Sequence, residues 1–136
     1  MKKLSVYTIG IFIISLFLVS GCKKTDEEAI GKWIIGTWDL DRYVQQNFKD
    51  GVLQGESESL NQGKVKFRDD GTGEDIGGNF IGGEFEWSNT DIKLTLITGA
   101  GTTIYDIEEY SKSNFVFSLT DVNGNDKFVE RWYLSK

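Results

Sequence analysis

The chain has 136 residues, a formal charge of −6, 16 glycines, no proline, no histidine and a single cysteine. Without histidine, imidazole haem ligation, the usual hydrolase triads and the common zinc sites are excluded, and one cysteine cannot form a disulfide within the chain. The acidic balance repels phosphate backbones, so no nucleic-acid partner is expected.

At the start of the chain, Met1-Lys2-Lys3 is basic, Val6 to Ser20 is apolar, and the small residues Ser20 and Gly21 precede Cys22. A basic start, a short apolar middle and small residues before a cut mark a secretory signal. The apolar run falls short of the roughly 20 residues that a membrane-spanning helix needs. Val19-Ser20-Gly21-Cys22 resembles the cleavage site of a bacterial lipoprotein. That resemblance implies a signal peptide over residues 1–21 and fatty acyl chains, palmitate among them, on Cys22. The membrane would then be a partner through this anchor. Each buried CH₂ contributes about 0.8 kcal/mol, and two or more chains anchor a protein stably. The competing reading is an uncleaved N-terminal membrane helix ending in an ordinary thiol. Residues 22–28 read as a charged, solvated tether. No Asp follows Cys22, and Asp26-Glu27-Glu28 makes an acidic cluster shortly after it. This resembles the export signal of surface lipoproteins in the Bacteroidetes group and implies the outer membrane and the cell surface.

Residues 29–136 read as one β domain, long enough to bury roughly two thirds of its unfolded surface. Asp26 to Ile35 allows one or two helical turns, with Ala29, Ile30, Trp33 and Ile34 on one side. From Gly36 the period changes to two, the mark of a strand with one buried face. Trp38, Leu40 and Val44 are expected to point inward, and Thr37, Asp39, Asp41 and Tyr43 outward. Asp50 to Gln62 alternates weakly and reads as a loop with a short edge strand. Val65 and Phe67 alternate with Lys64, Lys66 and Arg68. Gly71 to Gly83 contains a near-repeat, Ile76-Gly77-Gly78-Asn79-Phe80 and Ile81-Gly82-Gly83-Glu84-Phe85, and reads as a bent strand followed by a loop. Further strands follow around Phe85 and Trp87, Ile92 to Leu96, Tyr105 and Ile107, and Phe115 to Leu119. The last strand, Phe128 to Leu134, is apolar on both faces, so its core face stays open. Asp69-Asp70-Gly71 and Asn123-Gly124 are hairpin signals. Strands recurring roughly every 10 to 14 residues, with no helical pattern between them, point to an antiparallel meander. Closing a meander of about eight strands removes its edges, which favours an up-and-down barrel over a sandwich.

Gly36-Thr37-Trp38 resembles the Gly-x-Trp signature that opens the first strand of lipocalins. The helical turn before it and the basic residue of a late strand, Arg131 in Glu130-Arg131-Trp132-Tyr133, match the same pattern. Val65 to Gly73 and Phe85-Glu86-Trp87 are similar to segments of small lipocalin-like lipoproteins. The likeness covers about residues 29 to 135. It implies that Gly36, Trp38 and Arg131 form a fold signature in which the guanidinium packs over the indole at the closed end of the barrel. A plain surface cation is the alternative for Arg131.

Few catalytic chemistries remain. With Cys22 acylated there is no free thiol, and no Walker-type or Gly-x-Gly-x-x-Gly phosphate loop occurs. Glu84 with Glu86, or Glu108 with Glu109, fit exposed strand faces better than a catalytic pair. Asp121 to Asp126 begins like a calcium loop, but its twelfth position is Trp132 instead of a glutamate. Asp69, Asp70, Glu74 and Asp75 form a weak candidate cation cluster. No cofactor and no enzymatic activity are expected, and the chain is expected to be a monomer. The leading expectation is a lipid-anchored barrel holding a small hydrophobic ligand near Phe67, Phe85, Trp87, Leu94 and Phe117. The alternative is a filled barrel that presents loops, Asp50 to Gln62 and Gly71 to Gly83, to a protein or glycan.

Overall fold

The structure is a computed structural model and describes residues 27–136. The expected signal peptide, Cys22 and the first part of the expected tether lie outside the described residues.

Helix α1 (Glu27–Ile34) leads into nine strands: β1 (Gly36–Lys49), β2 (Val52–Leu60), β3 (Lys64–Phe67), β4 (Thr72–Ile76), β5 (Glu84–Asn89), β6 (Lys93–Thr98), β7 (Gly101–Tyr110), β8 (Asn114–Asn123) and β9 (Asp126–Ser135). Strands β3 to β9 follow one another as an antiparallel meander, β1 pairs with β3, and β1–β9 pairing closes the ring. The result is a closed antiparallel barrel of eight strands, with β2 as an additional strand beside β1. Closure removes the two free edges that an open meander would expose.

Strand β1 is long enough to serve three neighbours. Gly36 to Asp39 pair with β3, Arg42 to Lys49 pair with β2 along the same edge, and Asp39 to Lys49 pair with β9 on the other. Past the barrel proper, β2, β1, β9 and β8 continue as a four-stranded tongue. It ends at the Asp50-Gly51 turn and the turn that begins at Gly124. Asp50 and Gly51 both have positive φ, 52° and 77°, the conformation that a two-residue hairpin matched to strand twist requires. The stretch Asp50 to Gln62 is therefore mostly an ordered nine-residue strand.

A bulge changes the expected inner face of β1. The register with β9 shifts between Leu40 and Arg42, leaving Asp41 unmatched. One extra residue reverses the alternation that follows it. Tyr43 therefore faces inward opposite Trp132, and Val44 moves to the outer face opposite Arg131. Val44 is still buried, but it stands outside the main core cluster. The same register settles β9: Trp132 and Leu134 point into the core, Glu130 shares their side, and Val129, Arg131 and Tyr133 lie outside.

The core fills the closed end and the middle of the barrel. Trp38, Leu40, Val65, Phe67, Leu94, Leu96, Phe115 and Phe117 are at most 1% exposed. Helix α1 closes the floor, where Ile34 is buried and its carbonyl accepts a 2.7 Å hydrogen bond from Trp38 Nε1. Phe85 lies against β4 only because position 73 is glycine. A Cβ there would stand 2.3 Å from the Phe85 ring and 2.9 Å from the Lys66 carbonyl.

Candidate functional site

The expected cavity residues are the packed core of the barrel. Phe67 meets Phe85 edge-on at 5.6 Å and Trp87 at 5.4 Å, while Phe117 packs against Phe115 and Tyr105, each at 5.1 Å. Phe67, Phe85, Leu94 and Phe117 are buried. Trp87 is partly buried, and its indole N–H donates to the carbonyls of Arg68 and Thr72, which fastens the β3–β4 turn. These rings pack against one another and fill the centre of the barrel.

Of the three residues expected at the closed end, Gly36 and Trp38 lie there and Arg131 does not. Gly36 has a φ of 124°, open to glycine and rarely to other residues, and Trp38 is buried. Arg131 does not cover the indole. Strand alternation puts it outside the barrel, where Nε and Nη2 donate to Glu108 at 2.7 and 3.1 Å. Lys136 takes the place over Trp38. Its Nζ lies 4.2 Å from the ring centroid and donates to the carbonyls of Trp33 and Ile35, each at 2.8 Å. One cation thus caps the carbonyl end of α1 and the indole face together. Removal from solvent lowers the Lys136 pKa.

The candidate cation cluster does not converge. Asp70 accepts from the backbone and hydroxyl of Thr72 at 2.9 and 2.6 Å, which holds its pKa down. Glu74 pairs with Arg68 at 2.7 Å, and Asp75 is buried. Among the described residues no group of three or more His, Cys, Asp or Glu side chains could hold a metal ion. Asp121 to Asn123 belong to β8 and Asp126 to β9, so this segment is a hairpin.

Towards the tongue the interior changes character. Tyr43 and Gln45 come from β1, Glu130 from β9, Tyr105 from β7, Asp75 from β4, and Phe80 from the glycine-rich β4–β5 connection. The Tyr43 hydroxyl donates to Glu130 Oε1 at 2.7 Å, and Gln45 Nε2 donates to the Tyr43 oxygen at 2.6 Å. The Tyr43 ring stacks on Trp132 at 4.2 Å. Burial, followed by the charge of Glu130, pushes the Tyr105 pKa up to about 12. Burial raises Tyr43 further still, reinforced by its hydrogen bond to Glu130 and the charge there. Phe80 seals the passage between this polar group and the core, with its ring 4.7 Å from Trp132, 5.6 Å from Phe117 and 6.3 Å from Tyr105. Asp75 holds that loop in place. Its Oδ2 accepts from the backbone N–H groups of Phe80, Ile81 and Gly82 at 2.9, 2.7 and 2.8 Å. Its Oδ1 is buried with no hydrogen-bond partner. At the end of the tongue, a cleft of about 330 Å³ lies between the hairpin tips, lined by Asn47, Phe48, Gln54, Asp121 and Phe128 among others.

Of these mouth residues, the sequence offers Asp75 only within a candidate cation cluster and Phe80 only within the Gly71 to Gly83 loop; Tyr43, Gln45, Tyr105 and Glu130 belong to no expected site. Tyr43 was assigned outward, and Glu130 appeared as an interruption of an apolar face. The one available signal was a carboxylate in an otherwise apolar alternation.

The fold and this geometry define a class: a closed eight-stranded antiparallel barrel with one additional strand, an apolar filled floor and a polar, carboxylate-bearing mouth. No family model, curated protein or solved structure matches the chain.

Proposed function

We propose that the chain is a lipid-anchored, non-enzymatic binding barrel of the outer membrane that takes a small molecule at its mouth. Acyl chains on Cys22 would hold it to the membrane, with the barrel exposed at the cell surface. The observation that carries the binding role is the Tyr43–Gln45–Glu130 group on inward positions. Inward polar and charged groups cost stability relative to an apolar filling. A barrel that served only as a scaffold would have no use for them, and such violations of local rules gather at functional sites. The filled centre directs the site to the mouth and argues against a ligand buried among Phe67, Phe85, Trp87, Leu94 and Phe117.

The test is a thermal-shift and calorimetric comparison of the full chain in neutral detergent. Three probes of one shape are used: neutral 2-phenylethanol, anionic phenylacetate and cationic phenethylamine. Binding of any of the three should be lost in Gln45→Trp, which obstructs the mouth, and kept in Leu94→Met, which conserves core volume. Binding lost in Leu94→Met and kept in Gln45→Trp would return the site to the centre, and no binding at all would refute the role. For the anchor, Cys22→Ser should release the protein from the membrane fraction. Retention of that variant would contradict acylation.

A second reading has its own observation. Strand β2 has one hydrogen-bonded neighbour and exposes Val52, Leu53 and Leu60, each more than 45% accessible. A free strand edge can accept a strand from another protein. In that reading the barrel is a support, and Leu53→Lys with Leu60→Lys would abolish partner binding while leaving small-molecule binding intact.

A further inference from the structure

We infer that the molecule taken at the mouth is a small organic cation, an ammonium group on an apolar body, whose apolar part takes the position that the Phe80 ring now holds. The inference deepens the proposed binding role and rests on the mouth being the binding site.

The charge balance inside the barrel is its first support. Glu130 accepts hydrogen bonds from Tyr43 and Gln45. Asp75 is 7% exposed, and its Oδ1 is buried and unpartnered. Among the described residues, the ion pairs of Arg42, Lys64, Arg68, Lys93 and Arg131 go to Glu58, Asp39, Glu74, Asp106 and Glu108, and neither Glu130 nor Asp75 joins one. Neither inward carboxylate is therefore paired with a cation among the described residues. A buried acceptor without a donor is costly, and more so when charged. A ligand that brings both a positive charge and N–H donors would remove that cost.

The surroundings narrow the ligand class. An anion would meet two carboxylates. A neutral apolar molecule would strip water from Glu130 and return nothing. A metal ion needs more ligands than two separate carboxylates supply, and no group of three is available among the described residues. Aromatic faces, by contrast, suit ammonium groups. Tyr43, Trp132, Phe80 and Tyr105 follow one another as a chain of ring contacts.

Phe80 is the exchangeable part. It belongs to a connection in which Gly77, Gly78, Gly82 and Gly83 all have positive φ. The backbone on either side can therefore move without side-chain hindrance. The hydrogen bonds that hold the loop in place end on Asp75, the carboxylate with the unused oxygen. An ammonium group at Asp75 Oδ1 draws carboxylate charge away from Oδ2, weakens those three hydrogen bonds and loosens the loop. The ligand's apolar body then replaces the phenyl ring against Trp132 and Phe117.

The experiment compares the same three probes on the full chain and on Phe80→Ala, which vacates the ring position. Phenethylamine should bind Phe80→Ala about tenfold more tightly than wild type, and 2-phenylethanol should bind at least about tenfold more weakly than the amine. Adding Glu130→Gln or Asp75→Asn to Phe80→Ala should remove most of that preference. Near-ultraviolet circular dichroism confirms that each variant is folded, and Glu130→Gln in the wild-type background supplies the same charge test if Phe80→Ala does not fold. If the neutral or anionic probe binds at the mouth as tightly as the amine, the cation assignment falls while the binding role stands. If none of the probes binds, both fall. Displacement of the amine by millimolar calcium would overturn the organic-cation assignment in favour of a metal.

Discussion

Lys136 and Arg131 show how two cations of similar reach acquire different duties: strand parity turns Arg131 outward, and Lys136 lies just past the end of β9. Lys136→Met removes two carbonyl hydrogen bonds and the contact over Trp38. It should lower unfolding stability by about 1–2 kcal/mol in urea and shift the emission of Trp38 to longer wavelength. Arg131→Met removes a surface ion pair with Glu108. It should cost no more than about 1 kcal/mol and leave that emission unchanged. The sequence pattern pointed to the right indole and the wrong cation, because the Asp41 bulge and the outward parity of position 131 are properties of strand pairing that no single strand displays. The mouth tyrosines make a second residue-scale prediction. Their folded pKa values lie above the ordinary 10.0, at about 12 for Tyr105 and higher for Tyr43. Above pH 10 the unfolded chain therefore releases protons that the folded chain keeps, so stability is full below about pH 10 and falls as pH rises towards 12. An absorbance titration at 295 nm should show a late-ionising fraction, and Tyr43→Phe and Tyr105→Phe should each reduce it. Titration of every tyrosine near pH 10 would refute the buried, Glu130-coupled environment.

At the scale of elements, the barrel strands were legible because each carries an apolar stripe at period two. Val65 and Phe67, Leu94 and Leu96, and Phe115 and Phe117 all fall where that pattern places them. Strand β2 was only partly legible, since its side chains are almost entirely exposed and it carries no stripe. Its existence depends on the ladder to β1 and on a turn that needs positive φ at Asp50 and Gly51. Gly51→Val should cost about 1 kcal/mol or more through backbone strain. Hydrogen exchange should then accelerate in the amides of β2 while those of β6 and β7 keep their protection. A uniform loss of protection would mean that β2 is part of the cooperative core. Gly73→Ala should act globally instead, destabilising the whole barrel by about 1–3 kcal/mol through the clash with Phe85.

The whole molecule combines an apolar floor with a mouth that carries charge. The sequence disclosed the floor, because burial of large apolar residues follows from their spacing. It did not disclose the mouth, because Tyr43, Asp75, Phe80, Tyr105 and Glu130 come from separate strands and one loop, and only closure brings them together. The central claim is that this polar group is kept for binding and does not hold the barrel shut. The most direct check is the unfolding free energy of the double variant Tyr43→Phe/Glu130→Leu, which keeps the ring on Trp132 and replaces the carboxylate with an apolar side chain. If the mouth is a binding site, the variant should be as stable as the wild type or more stable, by up to about 3 kcal/mol, and should lose affinity for phenethylamine. A variant that is destabilised by more than about 2 kcal/mol, with its binding intact, would show that the cluster is structural and that the site lies elsewhere.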